Sequence, residues 1–274
     1  MKKKIYTFIQ VILVLIIAYS LYNIGSYYYS RYKAEKEFSS YRDMVAQALN
    51  ESSDGEEKTP TSFMTMQRPE SYLKDKEKYN RMAFLSLERF KKLNSDIVAY
   101  INIDELNIKY PVVHRDNEFY LRRNLQKEYS LPGSIFVEGK NKTDFTDMNT
   151  VVYGHNMSDA WVKSAEMFEP IMQYGDSEYV NSKEDHYIEI FTEGGIKIYK
   201  VFSAYYSDAY YDYRNLNMDE NEWIEYLGRM KSNSLVDFNL EKELTSNDKI
   251  LTLSTCDNVT DDGRFAVHAV LVEE

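Results

Sequence analysis

The first 25 residues carry the longest apolar run of the chain. The run covers residues 5–24 behind three lysines, and its polar positions lie near its two ends: Thr7, Gln10, Ser20 and Asn23. About 20 such residues suffice for a helix to cross the hydrocarbon core of a membrane. A cleaved secretion signal is shorter and ends in small residues, whereas tyrosines, which are common at membrane interfaces, follow here. The pattern predicts a transmembrane signal anchor over 5–25, with a cytoplasmic tail at 1–4 and the rest of the chain outside the cell.

Residues 26–94 are predicted to be a helical region with a polar interruption. Between 30 and 50, apolar positions recur at spacings of three and four, the period of an amphipathic helix. These positions are Phe38, Tyr41, Val45 and Leu49. Residues 50–69 are polar and rich in helix breakers, which indicates a linker. A second helix is predicted over 71–93, with Phe84, Leu87 and Phe90 on one side. The pattern leaves open whether these helices form a stalk or pack onto the domain that follows.

From residue 95 to residue 274 the pattern changes to short runs rich in Val, Ile, Tyr and Phe and bounded by Gly, Asn, Asp or Pro. Such runs are typical of β-strands. Eight strands are predicted, at 97–103, 108–113, 134–137, 150–153, 187–192, 196–205, 249–255 and 264–272. Because few helices separate them, a mostly antiparallel sheet or barrel is expected. Two helices are predicted between strands, one from Ser158 or Asp159 to Met172 and one from Asp219 to Lys231.

Charge and cysteine content narrow the possible partners and chemistry. The 274 residues carry a net charge of −11 and no basic stripe interleaved with aromatics, so nucleic acid is not an expected partner. Cys256 is the sole cysteine, so it forms no internal disulfide and a free thiol outside the cell needs a reason. The Asp-rich loop at 257–262 lacks the ligand spacing and closing Glu of an EF-hand, so no metal site is predicted.

Cys256 and Arg264 flank the short polar loop between the last two predicted strands. If the strands pair as an antiparallel hairpin, the two residues face each other with Cβ atoms about 5 Å apart. A neighbouring guanidinium favours the thiolate, which is the nucleophilic form, and it can donate to an oxyanion that develops on a substrate carbonyl. The hairpin is therefore a candidate nucleophilic site.

A thiol nucleophile also needs a proton partner, and the four histidines differ in their placement. His155 follows a predicted strand beyond a glycine, where side chains emerge into a loop. His268 lies inside the last strand and is expected to be structural or on the surface. His114 and His186 stand among polar residues and are expected to be solvated. His155 is therefore the candidate proton partner.

These residues resemble the signature of the sortase family. Thr252-Leu-Ser-Thr-Cys256 is similar to the TLxTC motif, Arg264 stands where the family has its arginine, and Tyr153-Gly-His155-Asn-Met resembles the histidine motif. Upstream segments resemble class B of the family, as does the helix predicted before the cysteine strand. These segments are Tyr110-Pro-Val-Val, Asp116-Asn117-Glu-Phe-Tyr-Leu121 and Gly133-Ser-Ile-Phe.

The resemblance implies a mostly β fold, a closed eight-stranded barrel over 95–274, with N-terminal helices and a helix inserted before the cysteine strand. It implies a cysteine transpeptidase that needs no cofactor. The enzyme would cleave the C-terminal sorting signal of a secreted protein through a thioester and transfer the acyl group to a peptidoglycan precursor or a pilin lysine. The implied catalytic residues are His155, Cys256 and Arg264, and the implied peptide-binding residues are Asn117, Leu121, Tyr153 and Ser254.

Two other functions are compatible with the residues themselves. A thiol peptidase would use the same cysteine and histidine, although the sequence contexts of papain-like and caspase-like nucleophiles are absent. A membrane-tethered surface-binding protein would need no reactive thiol. The chain also departs from the class B pattern in its long N-terminal region and in a tyrosine-rich segment at 205–213, and both departures bear on substrate identity more than on chemistry.

Overall fold

The structure is a computed structural model. It describes residues 2–52, 76–158, 166–211, 213–216, 218–257 and 262–273.

One continuous helix, α1 (Lys2–Ser52), contains both the predicted anchor and the predicted amphipathic helix. Its apolar N-terminal part is exposed, and among the described residues α1 is the one helix long and apolar enough to cross a membrane. Its C-terminal part buries a stripe of side chains at helical spacing: Ala34, Phe38, Tyr41, Val45 and Ala48. This part therefore packs onto the rest of the protein instead of forming a free stalk.

The second helix, α2 (Lys76–Leu93), bridges α1 and the barrel. The side chain of Phe90 stacks on Tyr100 with ring centroids 5.7 Å apart and meets the edge of Tyr41 at 6.1 Å. The expectation that Phe84 shares this apolar side is wrong, because Phe84 is 49% exposed. The buried positions of α2 recur at spacings of three and four on another face: Met82, Ala83, Ser86, Leu87 and Phe90. The predicted linker at 53–69 and the predicted helix start at 71 lie outside the described residues.

Eight strands form a closed barrel, as expected. They are β1 (Ile97–Ile103), β2 (Ile108–His114), β3 (Ile135–Val137), β4 (Asn149–Tyr153), β5 (Tyr187–Thr192), β6 (Gly195–Asp208), β7 (Ile250–Cys256) and β8 (Gly263–Glu273). Their order around the barrel is β1-β2-β3-β4-β7-β8-β6-β5, and β5 pairs with β1 to close it. Pairing is antiparallel except between β2 and β3 and between β4 and β7. The parallel β4–β7 pair matters most for function, since it brings the carboxyl ends of two distant strands to one edge.

The helix predicted before the cysteine strand is present as α4 (Glu220–Ser232), between β6 and β7; a short helix, α3 (Ser177–Asn181), precedes β5. Asp219 caps α4, because its carboxylate accepts hydrogen bonds from the backbone N–H groups of Asn221 and Glu222. The buried face of α4 carries Trp223, Tyr226, Leu227 and Met230, the residues whose spacing predicted the helix.

The other predicted helix, from 158 or 159 to 172, is wrong over its described part. Residues 166–168 are not helical, a 3₁₀ helix begins only at Glu169 (Glu169–Gly175), and residues 159–165 lie outside the described part. Met167 instead pairs with Asn156 in an isolated antiparallel bridge, and the Phe168 N–H donates to the His155 carbonyl at 3.0 Å. These long-range backbone bonds take the place of a helical turn.

Candidate active site

The parallel pairing of β4 and β7 builds one edge of the site. Tyr153 is in register with Ser254, so both strands end on the same side of the barrel. The Gly154 N–H continues the ladder by donating to the Ser254 carbonyl at 3.2 Å. The residues that follow, His155 on one strand and Cys256 on the other, therefore emerge at the same edge.

The β7–β8 hairpin adds the third candidate residue. Cys256 and Arg264 are a directly facing antiparallel pair, which confirms the register that the sequence predicted. Both side chains are partly exposed, and Nη1 of Arg264 donates to the carbonyl oxygen of Gly263 at 2.9 Å. Because a short loop joins the two strands, the sequence near the hairpin is enough to predict that these residues are adjacent.

His155 is held by hydrogen bonds on both its side chain and its backbone. Its Nε2 donates to the Leu121 carbonyl at 2.7 Å, and since a carbonyl can only accept, Nε2 carries a proton. In the neutral ring Nδ1 is therefore the atom left to exchange a proton. Burial lowers the pKa of His155, the bond to Leu121 opposes that effect, and the positive charge of Arg122 lowers the pKa further.

Asn156 ties the histidine segment to the cysteine strand. Its side-chain N–H group donates to the backbone carbonyl of Cys256 at 3.1 Å across 100 residues of sequence. The next segment along the barrel edge is fixed as well, by the bond from Phe168 to the His155 carbonyl. The spacing between the candidate base and the candidate nucleophile is thus set by backbone-directed bonds.

A cleft of about 220 Å³ lies at this edge. All seven candidate residues line it: Asn117, Leu121, Tyr153, His155, Ser254, Cys256 and Arg264. Five lining residues were not singled out from the sequence: Phe136, Gly154, Tyr213, Arg214 and Thr255. The structure therefore gathers the predicted catalytic and peptide-binding residues into a single open site.

A buried carboxylate organises the wall of the cleft formed by Asn117 and Tyr153. Oε1 of Glu138 accepts from the Asn117 side-chain N–H group at 2.7 Å, and Oε2 accepts from the Tyr153 hydroxyl at 2.8 Å. Burial and the neighbouring carboxylate raise the pKa of Tyr153, so this tyrosine stays a neutral donor. Glu138 carried no recognisable signal in the sequence.

The tyrosine-rich segment reaches the cleft at its C-terminal end. The hydroxyl groups of Tyr213 and Ser254 are 2.8 Å apart, and the guanidinium of Arg214 lies over the Tyr213 ring at 5.6 Å. The tyrosine clustering at 205–213 was the available signal for this wall. Arg214 brings a second positive charge to the cleft, and no sequence pattern predicted its contribution.

Of the other three histidines, one lies where the sequence predicted and two do not. His268 is fully buried between the Tyr205 hydroxyl and the Thr252 hydroxyl, which confirms its structural reading. The expectation that His186 is solvated is wrong, because it is 3% exposed and faces Glu105 and the Val180 carbonyl. His114 is half-buried, with Nε2 out of contact with water, so it is not solvated as expected either.

No group of His, Cys, Asp or Glu side chains in the described part of the chain has the arrangement of a metal site. Residues 258–261 of the Asp-rich loop lie outside that part.

Gly154 is packed so closely that a side chain should disturb the site. A Cβ atom there would lie 2.5 Å from Cδ1 of Ile135 and 2.6 Å from Cγ of Phe168. Gly154→Ala is expected to lower the free energy of unfolding by about 1–3 kcal/mol and to displace His155, because the Phe168 N–H holds the His155 carbonyl. Gly228→Ala is the control: no atom lies within 4 Å of its Cβ position on α4, so a stabilisation of about 0.5–1 kcal/mol is expected. Denaturant unfolding of both variants checks this, and equal destabilisation would contradict the packing argument.

The charge of Arg122 should have a measurable effect on the pKa of His155. Because this charge lowers the His155 pKa, Arg122→Gln is expected to shift the NMR titration midpoint of His155 upward, and Arg122→Lys to leave it in place. Arg123→Gln removes a neighbouring exposed charge and serves as the control. A shift of the same size in the Arg123 variant would contradict an effect specific to Arg122.

Comparison with known proteins agrees with this geometry. The sortase domain family model matches residues 101–272. Sortase B of Listeria monocytogenes is 32% identical over 192 residues, which cover 68% of this chain and 74% of that protein. The X-ray structure of Clostridium perfringens sortase B is 33% identical, with a TM-score of 0.61, over 68% of this chain and 100% of that one. A Staphylococcus aureus sortase B–substrate complex is 26% identical, with a TM-score of 0.62, over 74% of this chain and 90% of that one.

The chain belongs to the sortase family, and its resemblance to class B is confirmed by these relatives. The family consists of cysteine transpeptidases that act on proteins with sorting signals, and the barrel described above has the fold of the sortase B structures.

Proposed function

We propose that this protein is a membrane-anchored transpeptidase that uses Cys256 to cleave the C-terminal sorting signal of a secreted protein. The observation that carries the proposal is the convergence of Cys256, Arg264 and His155 on one open cleft. Cys256 is also the sole cysteine of the chain, so a cysteine transpeptidase of this sequence has one possible nucleophile.

The chemistry proceeds in two acyl transfers. The Cys256 thiolate attacks the carbonyl carbon of the scissile peptide bond, and Arg264 donates hydrogen bonds to the oxyanion that forms. His155 gives a proton to the departing amine as the C–N bond breaks, which leaves a thioester on Cys256. An incoming amine then loses a proton to His155, attacks the thioester and releases the thiolate.

The peptide lies across Asn117, Leu121, Tyr153 and Ser254. Glu138 supports this assignment because it fixes the side chains of Asn117 and Tyr153, so two polar contacts are preorganised before a peptide arrives. A Staphylococcus aureus sortase B–substrate complex shares the fold of this barrel. The acceptor is a primary amine, either on a peptidoglycan precursor or on a pilin lysine.

Residues 5–25 anchor the protein as a single span, with residues 1–4 in the cytoplasm and the catalytic domain at 95–274 outside the cell. Three lysines before the span favour that orientation. Residues 26–94 connect the anchor to the catalytic domain.

Mass spectrometry of the full-length protein mixed with candidate sorting peptides tests the proposal. The expected result is an acyl adduct on the peptide that contains Cys256, which is lost on addition of an amine acceptor as the transfer product appears. Cys256→Ala is the control and should form neither species. Product formation by Cys256→Ala would refute the assignment, and hydrolysis that an added amine does not redirect would identify a thiol peptidase. Binding without turnover in the wild-type protein would favour a surface-binding protein.

A further inference from the structure

Four exposed tyrosines lie where the apolar part of α1 meets the catalytic domain. They are Tyr28, Tyr29 and Tyr32 of α1 and Tyr129 of a loop on the barrel. Each exposes between 59% and 74% of its surface. An ion pair of 3.1 Å joins Lys33 to Glu128, so the loop that carries Tyr129 stands at the level of Tyr32. We call these four residues the tyrosine collar.

The height of the collar above the membrane follows from the unbroken helix. Arg31 and Lys33 are seven and nine residues beyond Ile24, the end of the apolar run, which corresponds to about 10 and 13 Å at the rise of an α-helix. The headgroup region adds roughly 5–8 Å to each side of the hydrocarbon core. Helical side chains point back toward the N-terminus, which lowers the rings of Tyr28, Tyr29 and Tyr32 toward that region, while Tyr129 follows Glu128, the partner of Lys33. Tyrosine, with its apolar ring and polar tip, favours such an interface.

Two chains of contacts lead from this level to His155. Glu166 pairs with Arg31 at 2.9 Å and lies two residues before Phe168, whose N–H holds the His155 carbonyl. In the second chain, Ser130, the neighbour of Tyr129, donates its N–H to the Arg122 carbonyl at 3.1 Å. The preceding carbonyl, that of Leu121, accepts from Nε2 of His155. The wall of the cleft that carries Leu121 and His155 is therefore built on the membrane-proximal contacts of α1.

We propose that the tyrosine collar rests against the headgroup layer of the lipid bilayer that holds α1, so that the Leu121–His155 side of the cleft opens at the membrane surface. The inference rests on the anchoring proposed for residues 5–25 and is independent of the transfer chemistry. Its consequence is that a substrate peptide attached to the same membrane reaches the cleft without leaving the surface.

Site-directed fluorescence quenching of the full-length protein tests the height of the collar. Because Cys256 is the sole cysteine, Cys256→Ala gives a cysteine-free chain in which single cysteines at Leu15, Glu88 and Tyr129 can carry a bimane label. The protein is placed in nanodiscs that contain lipids with a nitroxide either on the headgroup or in the acyl chain. Glu88 is the matched exposed control, since its neighbour Arg89 pairs with Glu51, about 40 Å above Ile24 along the helix.

The expected result is quenching at 129 by the headgroup nitroxide, quenching at 15 by the acyl-chain nitroxide, and none at 88. If 15 is quenched and 129 is not, the inference is overturned while the anchor stands. If 15 is not quenched, both fail. A seven-residue helical insertion after Gly25 raises the collar by about 10 Å with nearly the same helical phase, so it should abolish the quenching at 129. Quenching that survives the insertion would overturn the inference.

The functional consequence is measured with Cys256 restored. A reactive sorting peptide is presented either in solution or attached to the nanodisc by a lipid at its C-terminal end. The insertion variant should match the wild-type rate of thioester formation on the soluble peptide and react about tenfold more slowly with the tethered one, because the effective concentration at the cleft falls. Equal rates on the tethered peptide would contradict the proposal. Loss of reaction on both peptides in the wild-type protein would instead count against the transpeptidase function.

Discussion

Arg264→Ala is expected to lower the rate of thioester formation by about 10²–10³-fold, the effect of removing one oxyanion donor from an active site. Arg264 directly faces Cys256, so its guanidinium lies on the strand position opposite the candidate nucleophile. Arg264→Lys keeps the charge but loses the planar fork of donors, and an intermediate loss is expected. Single-turnover mass spectrometry of the acyl adduct measures this rate directly.

A matched control separates this effect from a general loss of charge. Arg81→Gln removes an exposed arginine of α2 and should leave the rate unchanged. The unfolding free energy of Arg264→Ala should also stay close to wild type, because its side chain is partly exposed and its hydrogen bond among the described residues is to the neighbouring Gly263 carbonyl. A rate loss of less than about threefold in Arg264→Ala would exclude a role in oxyanion binding.

Glu105→Ala is expected to lower the free energy of unfolding by about 1–3 kcal/mol, the cost of leaving the buried side chains of Tyr174 and His186 without their hydrogen-bond partner. Oε1 of Glu105 accepts hydrogen bonds from the Tyr174 hydroxyl at 2.6 Å and from Nδ1 of His186 at 2.8 Å. Its Oε2 lies 3.0 Å from Nζ of Lys183. Nε2 of His186 faces the Val180 carbonyl at 3.0 Å, so the ring is held on both sides. Without Glu105, these donors lose their acceptor inside the protein.

Glu105 should also make the free energy of unfolding depend on pH. Burial raises the pKa of Glu105, but the hydrogen bonds from His186 and Tyr174 outweigh it, so the net pKa is lowered. A carboxyl group with a lowered pKa in the folded state stabilises the protein above its ordinary pKa of about 4.3, and that stability is lost as the pH falls through the folded value.

Denaturant unfolding of the full-length protein in detergent between pH 7 and pH 3 measures both effects. The loss of stability toward pH 3 should be smaller in Glu105→Gln than in wild type. Glu225→Ala, an exposed change on α4, should stay within about 0.5 kcal/mol of wild type at every pH. An unfolding free energy of Glu105→Ala equal to that of the control would contradict the role assigned to this cluster.

The strands and the hairpin pair were predictable because their signals are local. All eight strands were found from short apolar runs, although β6 continues to Asp208, three residues beyond its predicted end. Cys256 and Arg264 stand opposite each other because a short loop joins β7 and β8, and the two-residue period of strands then fixes which side chains face. His155 was identified from its place after a strand, without knowledge of what it would meet.

The surroundings of the site were not predictable, because they depend on contacts between distant segments. Glu138 meets Asn117 and Tyr153 only after β3 pairs with β4, and Arg214 arrives on a segment placed by barrel closure. His186 looked solvated among polar neighbours, yet the approach of Glu105, 81 residues earlier, buries it. At residues 166–168 the bridge between Met167 and Asn156 overrides a helix-like sequence pattern.

The sequence by itself determined the class of protein and its candidate catalytic residues, because short motifs and the candidate nucleophilic hairpin are encoded by neighbouring residues. It also determined an apolar run long enough to span a membrane. The tertiary structure decided that this run continues without a break into the helix packed against the barrel, which side of the cleft that helix supports, and which buried charges hold the cleft and the barrel together. These features arise from packing between elements far apart in the chain, and no local pattern of hydrophobic and polar residues specifies them.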